Sequence, residues 1–322
     1  MREGEPNLDK EESLESQSGL LAQPEFLSVE EISKIRSDKH PLSGHHGTVQ
    51  VRDYKFGETE VSAGNVRIDP SDLEFKKNEK KIEKMIRQKE KGEVYPCERV
   101  IVNALFEQAR IADAFDVPTR SFFNLEFIGG KTQMMAINMG SARINVLVLR
   151  DQINSLQKDG ASDEQVITEI SGHMFHETLH MCSDMESGFL QGRQSVGEFT
   201  SITGQLAYYI LRGYNGPSSY DNAAFKEGMK KIKDGEKSAR DYETATCVSA
   251  ELLLEHIKSA YPEFASDIEA ETALDACEAI VAKIPSDRKD VLIQSLKQAI
   301  LESTDEEKFK EVIKKLKNKN NK

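Results

Sequence analysis

From about residue 162 to its end, this chain carries one apolar helical period after another. Segments 163–186, 197–212, 222–233, 239–259, 264–283, 288–302 and 305–318 each space large apolar residues three and four apart, the repeat of one helix face. Any sheet therefore has to come from upstream. There SFFNLEFI (121–128), the pair Gly129-Gly130 and KTQMMAINM (131–139) read as a β-hairpin, because Gly-Gly tolerates the positive φ angles of tight turns. RINVLVL (143–149) reads as a third strand. Before these, ERVIVNALFEQARIADAF (98–115) has the pattern of a well-buried helix. Ser71 to Lys91 is strongly charged, and its thin stripe of Leu73, Phe75, Ile82, Met85 and Ile86 suits a surface helix. The expected class is α+β: a small, mostly antiparallel sheet, then a helical C-terminal half.

Residues 1–60 are rich in Glu, Ser, Gly and His, with little hydrophobic period, and only LSVEEISKI (27–35) reads as a short helix. A largely disordered leader is expected there. An α+β subdomain is expected over 61–190, and a helical subdomain with a C-terminal extension over 191–322. The 322 residues are 38% hydrophobic and 30% charged, which is polar for a globular chain and fits a sizeable part lying outside any core. A formal net charge of −12 argues against a nucleic-acid or anionic-membrane partner. Acidic residues crowd the first sixteen positions and IKKLKNKNNK closes the chain; both ends read as solvated tails. The four cysteines, Cys97, Cys182, Cys247 and Cys277, form no CxxC pair, so neither a four-cysteine zinc site nor a disulfide framework is indicated. There is no 18-residue apolar stretch and no signal-like apolar run, so a cytoplasmic, membrane-free setting is expected, with non-classical export left open. Nothing here speaks to oligomeric state.

The segment that carries chemistry is HMFHETLHMCSDME (173–186). Ser162 followed by Gln165 is a capping-box start, Asp163 and Glu164 suit a first turn, and Gly188 is a plausible stop. Within that helix His176 and His180 are four apart and so share a face. That spacing fits two corners of a tetrahedral zinc site, where each nitrogen approaches to roughly 2.0–2.1 Å. Glu177 lies one step round the helix, placed to reach a metal-bound water without being a ligand. His173, a turn earlier, reads as a supporting or packing histidine. Cys182 points away from the histidine face.

Through FHETLH (175–180) and through the order of strand, metal helix and helical second half, the chain resembles the zincin metallopeptidases, at superfamily level and over about residues 100–215. That resemblance implies Zn2+ as cofactor and a peptide or protein as substrate. It implies peptide-bond hydrolysis through a zinc-bound water activated by Glu177, and a cleft-edge strand, here residues 143–149, that pairs with extended substrate backbone. A zincin also needs a third ligand. Glu198 continues the apolar stripe of its helix through Ile202, Leu206 and Tyr209, and a carboxylate on such a stripe wants a partner. Its place eighteen residues after His180 resembles the gluzincin glutamate, although Ile202 stands where those enzymes commonly put a supporting acid. Glu186 occupies the metzincin position, but Ser183 replaces the turning glycine of that pattern. Asp184, four after His180, is the third candidate. Glu198 is preferred, with Glu186 and Asp184 left open.

Donors for a developing oxyanion are sought among Tyr208, Tyr209, Tyr214 and Tyr220, with His256 more distant. The three histidines of HPLSGHHG (40–47) read as solvent-exposed rather than as a second metal site, and Cys97 as a buried thiol. A peptide deformylase would need an EGCLS-like ligand segment, and the chain has none. The alternative from another class is a non-catalytic, zincin-like binding or assembly protein. The retained Glu177 speaks against it and the missing supporting acid speaks for it.

Overall fold

The computed structural model describes residues 26–35, 37, 40–44, 47–57, 59–67, 98–117, 122–126, 135–138, 141–180, 196–214, 218–235, 238–266 and 268–319. The expected surface helix at 71–91 lies outside them. The fold is α+β. Two compact units divide the described chain, one made of Glu25–Ala109 with Thr119–Met181 and the other of Arg110–Pro118 with Cys182–Lys322.

The first unit holds the sheet. Its elements are α1 (Val29–Ile35), β1 (His40–Gly44), β2 (Gly47–Phe56), β3 (Thr59–Arg67), α2 (Glu98–Ala114, assigned to this unit as far as Ala109), β4 (Phe122–Glu126), β5 (Met135–Asn138), β6 (Ser141–Asn145), α3 (Val146–Lys158) and α4 (Asp163–His180). The six strands run in the order β1-β2-β3-β4-β6-β5. The first three pair antiparallel, β3–β4 and β4–β6 are parallel, and β5–β6 is antiparallel again. Beneath them Leu149, Ile153 and Leu156 of α3 and Val166, Ile167, Ile170 and Met174 of α4 share one core with Ile101 and Leu105 of α2 and with Tyr54 and Val61. Tyr54 and Val61 stand directly opposite one another on β2 and β3, the kind of cross-strand pair that fixes register. Gly57 closes that hairpin with a φ of 61°, a conformation cheap only for glycine.

Three expectations fail in this unit. β1, β2 and the start of β3 fall inside the stretch expected to be a largely disordered leader. Composition hid them, because strand pairing rests on backbone hydrogen bonds and does not by itself require an apolar run. The Gly129-Gly130 hairpin is not formed. β4 pairs parallel with β6, and the hairpin is β5–β6, closing between Asn138 and Ser141. Finally, RINVLVL is half strand and half helix. Its strand stops at Asn145 and VLVL opens α3, because Leu149, Ile153 and Leu156 at intervals of four and three bury one helix face. β6 is paired on both sides, so residues 143–149 do not supply an edge strand; among the described residues the edges of the sheet are β1 and β5.

The second unit is helical: α5 (Glu198–Arg212), α6 (Ser218–Asp234), α7 (Tyr242–Ala260), α8 (Pro262–Ala265), α9 (Ala273–Val281), α10 (Lys289–Glu302) and α11 (Glu306–Lys319). α7 is the centre, packed by α5, α6, α9, α10 and α11. The helix expected over 264–283 breaks into α8 and α9. Thr272 and Asp275 form a reciprocal capping box that starts a new helix there. α11 lays Phe309, Val312, Ile313 and Leu316 inward and ties Lys315 to Glu255 and Lys319 to Glu251. Cys247 and Cys277 are free and buried, and burial pushes both thiols well above the ordinary range, so they read as packing. Cys97 and Cys182 lie outside the described residues. Among the described residues no helix is long and apolar enough to cross a membrane.

Glu302, at the end of α10, is held below its ordinary value of 4.5: burial works against this, but Lys308, His256 and Gln298 outweigh it. A carboxylate depressed on folding stabilises the fold in full above that ordinary value, and the contribution is lost as pH falls through the lowered one. Glu302→Gln should therefore make thermal stability less sensitive to acid as pH falls below the ordinary value of 4.5. An unchanged acid limb in melting curves would show that this network contributes nothing.

Candidate metal centre

α4 starts as its sequence requires. Ser162 N–H donates to Gln165 Oε1 at 2.8 Å, and Gln165 N–H donates to Ser162 Oγ at 3.2 Å. Asp163 in the first turn accepts from Gln157 and pairs with the guanidinium of Arg99 on α2. From there the helix is buried almost all round. The described part of α4 ends at His180. Residues 181–195 lie outside the described set, and with them Asp184, Glu186 and the expected stop at Gly188.

On this helix His176 and His180 face each other. Their Nε2 atoms are 3.0 Å apart, with ring centroids 4.8 Å apart and the rings inclined at 74°. His176 is only 8% exposed. At that separation two imidazole nitrogens either share a proton or direct their lone pairs at a common third body. Nitrogens on a tetrahedral zinc, each at roughly 2.0–2.1 Å, sit about 3.3 Å from one another. The observed separation is a few tenths of an ångström shorter, so the pair could hold a metal ion. Glu177, half-buried, is the next residue round the helix. His173 lies on the histidine face and places its Nε2 3.1 Å from the buried carboxylate of Glu169.

Glu198 is the first residue of α5. Gly197 precedes it with a φ of 55°, and a Cβ on Gly197 would meet Arg240 Cγ at 3.0 Å and Ala239 O at 3.3 Å. Glycine is thus required twice over at the residue that leads into Glu198. The turn is anchored by Thr200, whose hydroxyl accepts from Val196 N–H and donates to Ser303 O, both at 3.0 Å. Further along, Thr203 Oγ donates to Phe199 O, and Ser249 of α7 bonds the same carbonyl. His176 and His180 belong to the first unit and Glu198 to the second.

The tyrosines do not fit their expected part. Tyr208 and Tyr209 follow Glu198 by ten and eleven residues on a straight helix, which places them roughly 15 Å further along its axis. Gln205 donates to Tyr209 Oη at 3.0 Å, and Tyr208, Tyr209 and Tyr214 pack ring to ring. His256 pairs with Glu302 at 3.2 Å. The Tyr220 side chain lies outside the described set.

Sequence reasoning missed Gln108. It is fully buried on α2, and its amide donates to the hydroxyl of Thr178 inside HETLH at 2.9 Å. A signal was present, since Asn103, Glu107 and Gln108 interrupt an otherwise apolar helix, and polar groups survive burial only where a partner waits. Asn103 is accounted for by Leu27, whose backbone N–H and C=O it bonds at 2.7 and 2.9 Å. In comparisons with protein-family models, curated proteins and solved structures, the chain matches none.

Proposed function

We propose that this protein is a zinc-dependent peptidase of the gluzincin kind. The observation that carries the reading is the His176–His180 pair, two Nε2 atoms 3.0 Å apart on one capped helix with Glu177 between them. The donor set fits the metal: two imidazole nitrogens and a carboxylate are a common catalytic zinc set that leaves a fourth position open. His176, His180 and Glu198 would hold it. When bound, zinc supplies Lewis-acid polarisation of a carbonyl and makes water nucleophilic near neutral pH. Glu177 takes the proton from the attacking water and delivers it to the leaving amine nitrogen. His176 and His180 act as neutral imidazoles, each offering Nε2. The cleft-edge role passes from residues 143–149 to β5, which lies against α4 and, among the described residues, is paired on one side only. Its open side would take the substrate backbone in extended form.

The reading is tested by zinc stoichiometry and peptide hydrolysis. Wild-type protein should bind one zinc and lose hydrolysis on chelation, with recovery on adding zinc back. Glu198→Ala should weaken zinc by at least about 100-fold, since a coordinating carboxylate is lost outright. Unchanged zinc affinity in Glu198→Ala would move the third ligand to Glu186 or Asp184. Failure of wild-type protein to bind zinc would remove the proposal.

A further inference from the structure

We infer that Gln108 is a positioning residue for the metal helix, acting through Thr178 to set the rotation at which α4 presents His176, His180 and Glu177; this rests on the zinc reading above. α4 has apolar or small residues buried on nearly every side, among them Val166, Ile167, Ile170, Met174, Phe175 and Leu179. Packing of that kind holds a helix in the core but is weakly directional, since apolar contact has no preferred angle. Two nitrogens that must meet one ion need a tolerance of a few tenths of an ångström, which calls for directional contacts.

α2 supplies such contacts at two heights. Arg99 pairs with Asp163 in the first turn of α4, at the exposed end. Nine residues further along α2, Gln108 Nε2 donates at 2.9 Å to Thr178 Oγ, which in turn donates at 2.9 Å to Met174 O. Thr178 lies two residues from both His176 and His180, about 200° round the helix from each. It therefore holds the back of the helix whose front carries the imidazoles. The Gln108–Thr178 bond is buried at both ends.

The arrangement is also costly, which separates it from ordinary packing. Gln108 is 0% exposed, and its Oε1 is buried without a hydrogen-bond partner. A buried amide left half satisfied is destabilising, and a leucine of similar size would avoid that. A fold selected for stability alone has no use for glutamine there. A helix that must be held at one angle does.

The test is Gln108→Leu beside Thr178→Val, Thr178→Ser and the double variant Gln108→Leu/Thr178→Val. Zinc affinity is read by competition with a chromophoric chelator, and the site by the visible absorption of the Co(II)-loaded protein. Gln108→Leu should match or exceed wild type in thermal midpoint yet bind zinc about 10-fold more weakly, the scale of losing an orienting contact behind a ligand, with an altered Co(II) spectrum. Thr178→Ser, which keeps the hydroxyl, should stay within about twofold, and the double variant should be no weaker than the worse single one. Zinc affinity and Co(II) spectrum unchanged in Gln108→Leu would overturn the inference while leaving the zinc site standing. Absence of zinc binding in wild type would remove both. A thermal midpoint that falls in proportion to the affinity would reduce Gln108 to a packing residue.

Discussion

Glu177→Gln should leave zinc bound at wild-type stoichiometry and lower kcat for peptide hydrolysis by about two to four orders of magnitude, the usual worth of a positioned general base. Glutamine keeps the size and most of the polarity of glutamate but cannot accept a proton at neutral pH. The side chain is half-buried and belongs to a helix whose packing comes from other faces, so the exchange leaves the fold in place. Glu177 is proposed as a proton-transfer group and not as a ligand, so zinc affinity should hold. Metal analysis on the same sample used for a broad peptide-library assay reads both halves of the expectation. Zinc retained and turnover lost is the signature of a proton-transfer residue. Full turnover in Glu177→Gln would overturn Glu177 as the proton-transfer residue, whereas no turnover in the zinc-loaded wild type would leave a zincin-like scaffold used for binding or assembly.

Gly228→Ala should be the most destabilising small substitution in the helical unit. A Cβ at Gly228 of α6 would stand 2.1 Å from Glu243 O, 2.7 Å from Glu243 C and 3.1 Å from Cys247 Cβ on α7. The first two are backbone atoms and cannot rotate aside. Their surroundings are tied down as well. Asp241 caps α7 by accepting from Thr244 N–H at 2.9 Å, and Lys231 of α6 bridges Asp241 and Glu243 at 2.6 and 2.9 Å. The helices must separate, and separation costs packing along their whole contact. Overpacking of this kind costs about 3 kcal/mol, against about 1 kcal/mol that alanine gains over glycine in a helix. The net loss of about 2 kcal/mol should lower the thermal midpoint by about 4–8 °C in a unit of this size. A midpoint at or above the wild-type value would mean that α6 and α7 can separate at Gly228 without losing packing.

Much of this was written in the sequence, and the parts that were not failed for identifiable reasons. The start of α4 was legible because a capping box is local: Ser162 and Gln165 need only each other. The C-terminal helices were legible because their apolar period is carried by many residues at once. The break before α9 was also local, but an uninterrupted apolar pattern masked Thr272 and Asp275. Strand pairing is a different matter. β4 finds β6 across an intervening strand, and nothing near Phe122 announces a partner twenty residues away. Val146 to Leu149 favour a strand by their own propensities and were overridden by Ile153 and Leu156, which draw them into a helix. The histidine pair was readable because four-residue spacing has one meaning on a helix. Gln108 was not, since its importance comes from a threonine seventy residues later.

Among the described residues β5 is four residues long, and on an antiparallel strand only alternate residues turn their N–H and C=O groups to the open side. A substrate laid along it would find about two residues of backbone to hold. At about 1 kcal/mol net for each hydrogen bond, that grip is too weak to retain an arbitrary extended chain. Selectivity would then rest on the side chains flanking the scissile bond, and unfolded polypeptide as such would be a poor substrate. On these terms the protein would be a discriminating hydrolase that cuts at few places, not a scavenger of denatured chains.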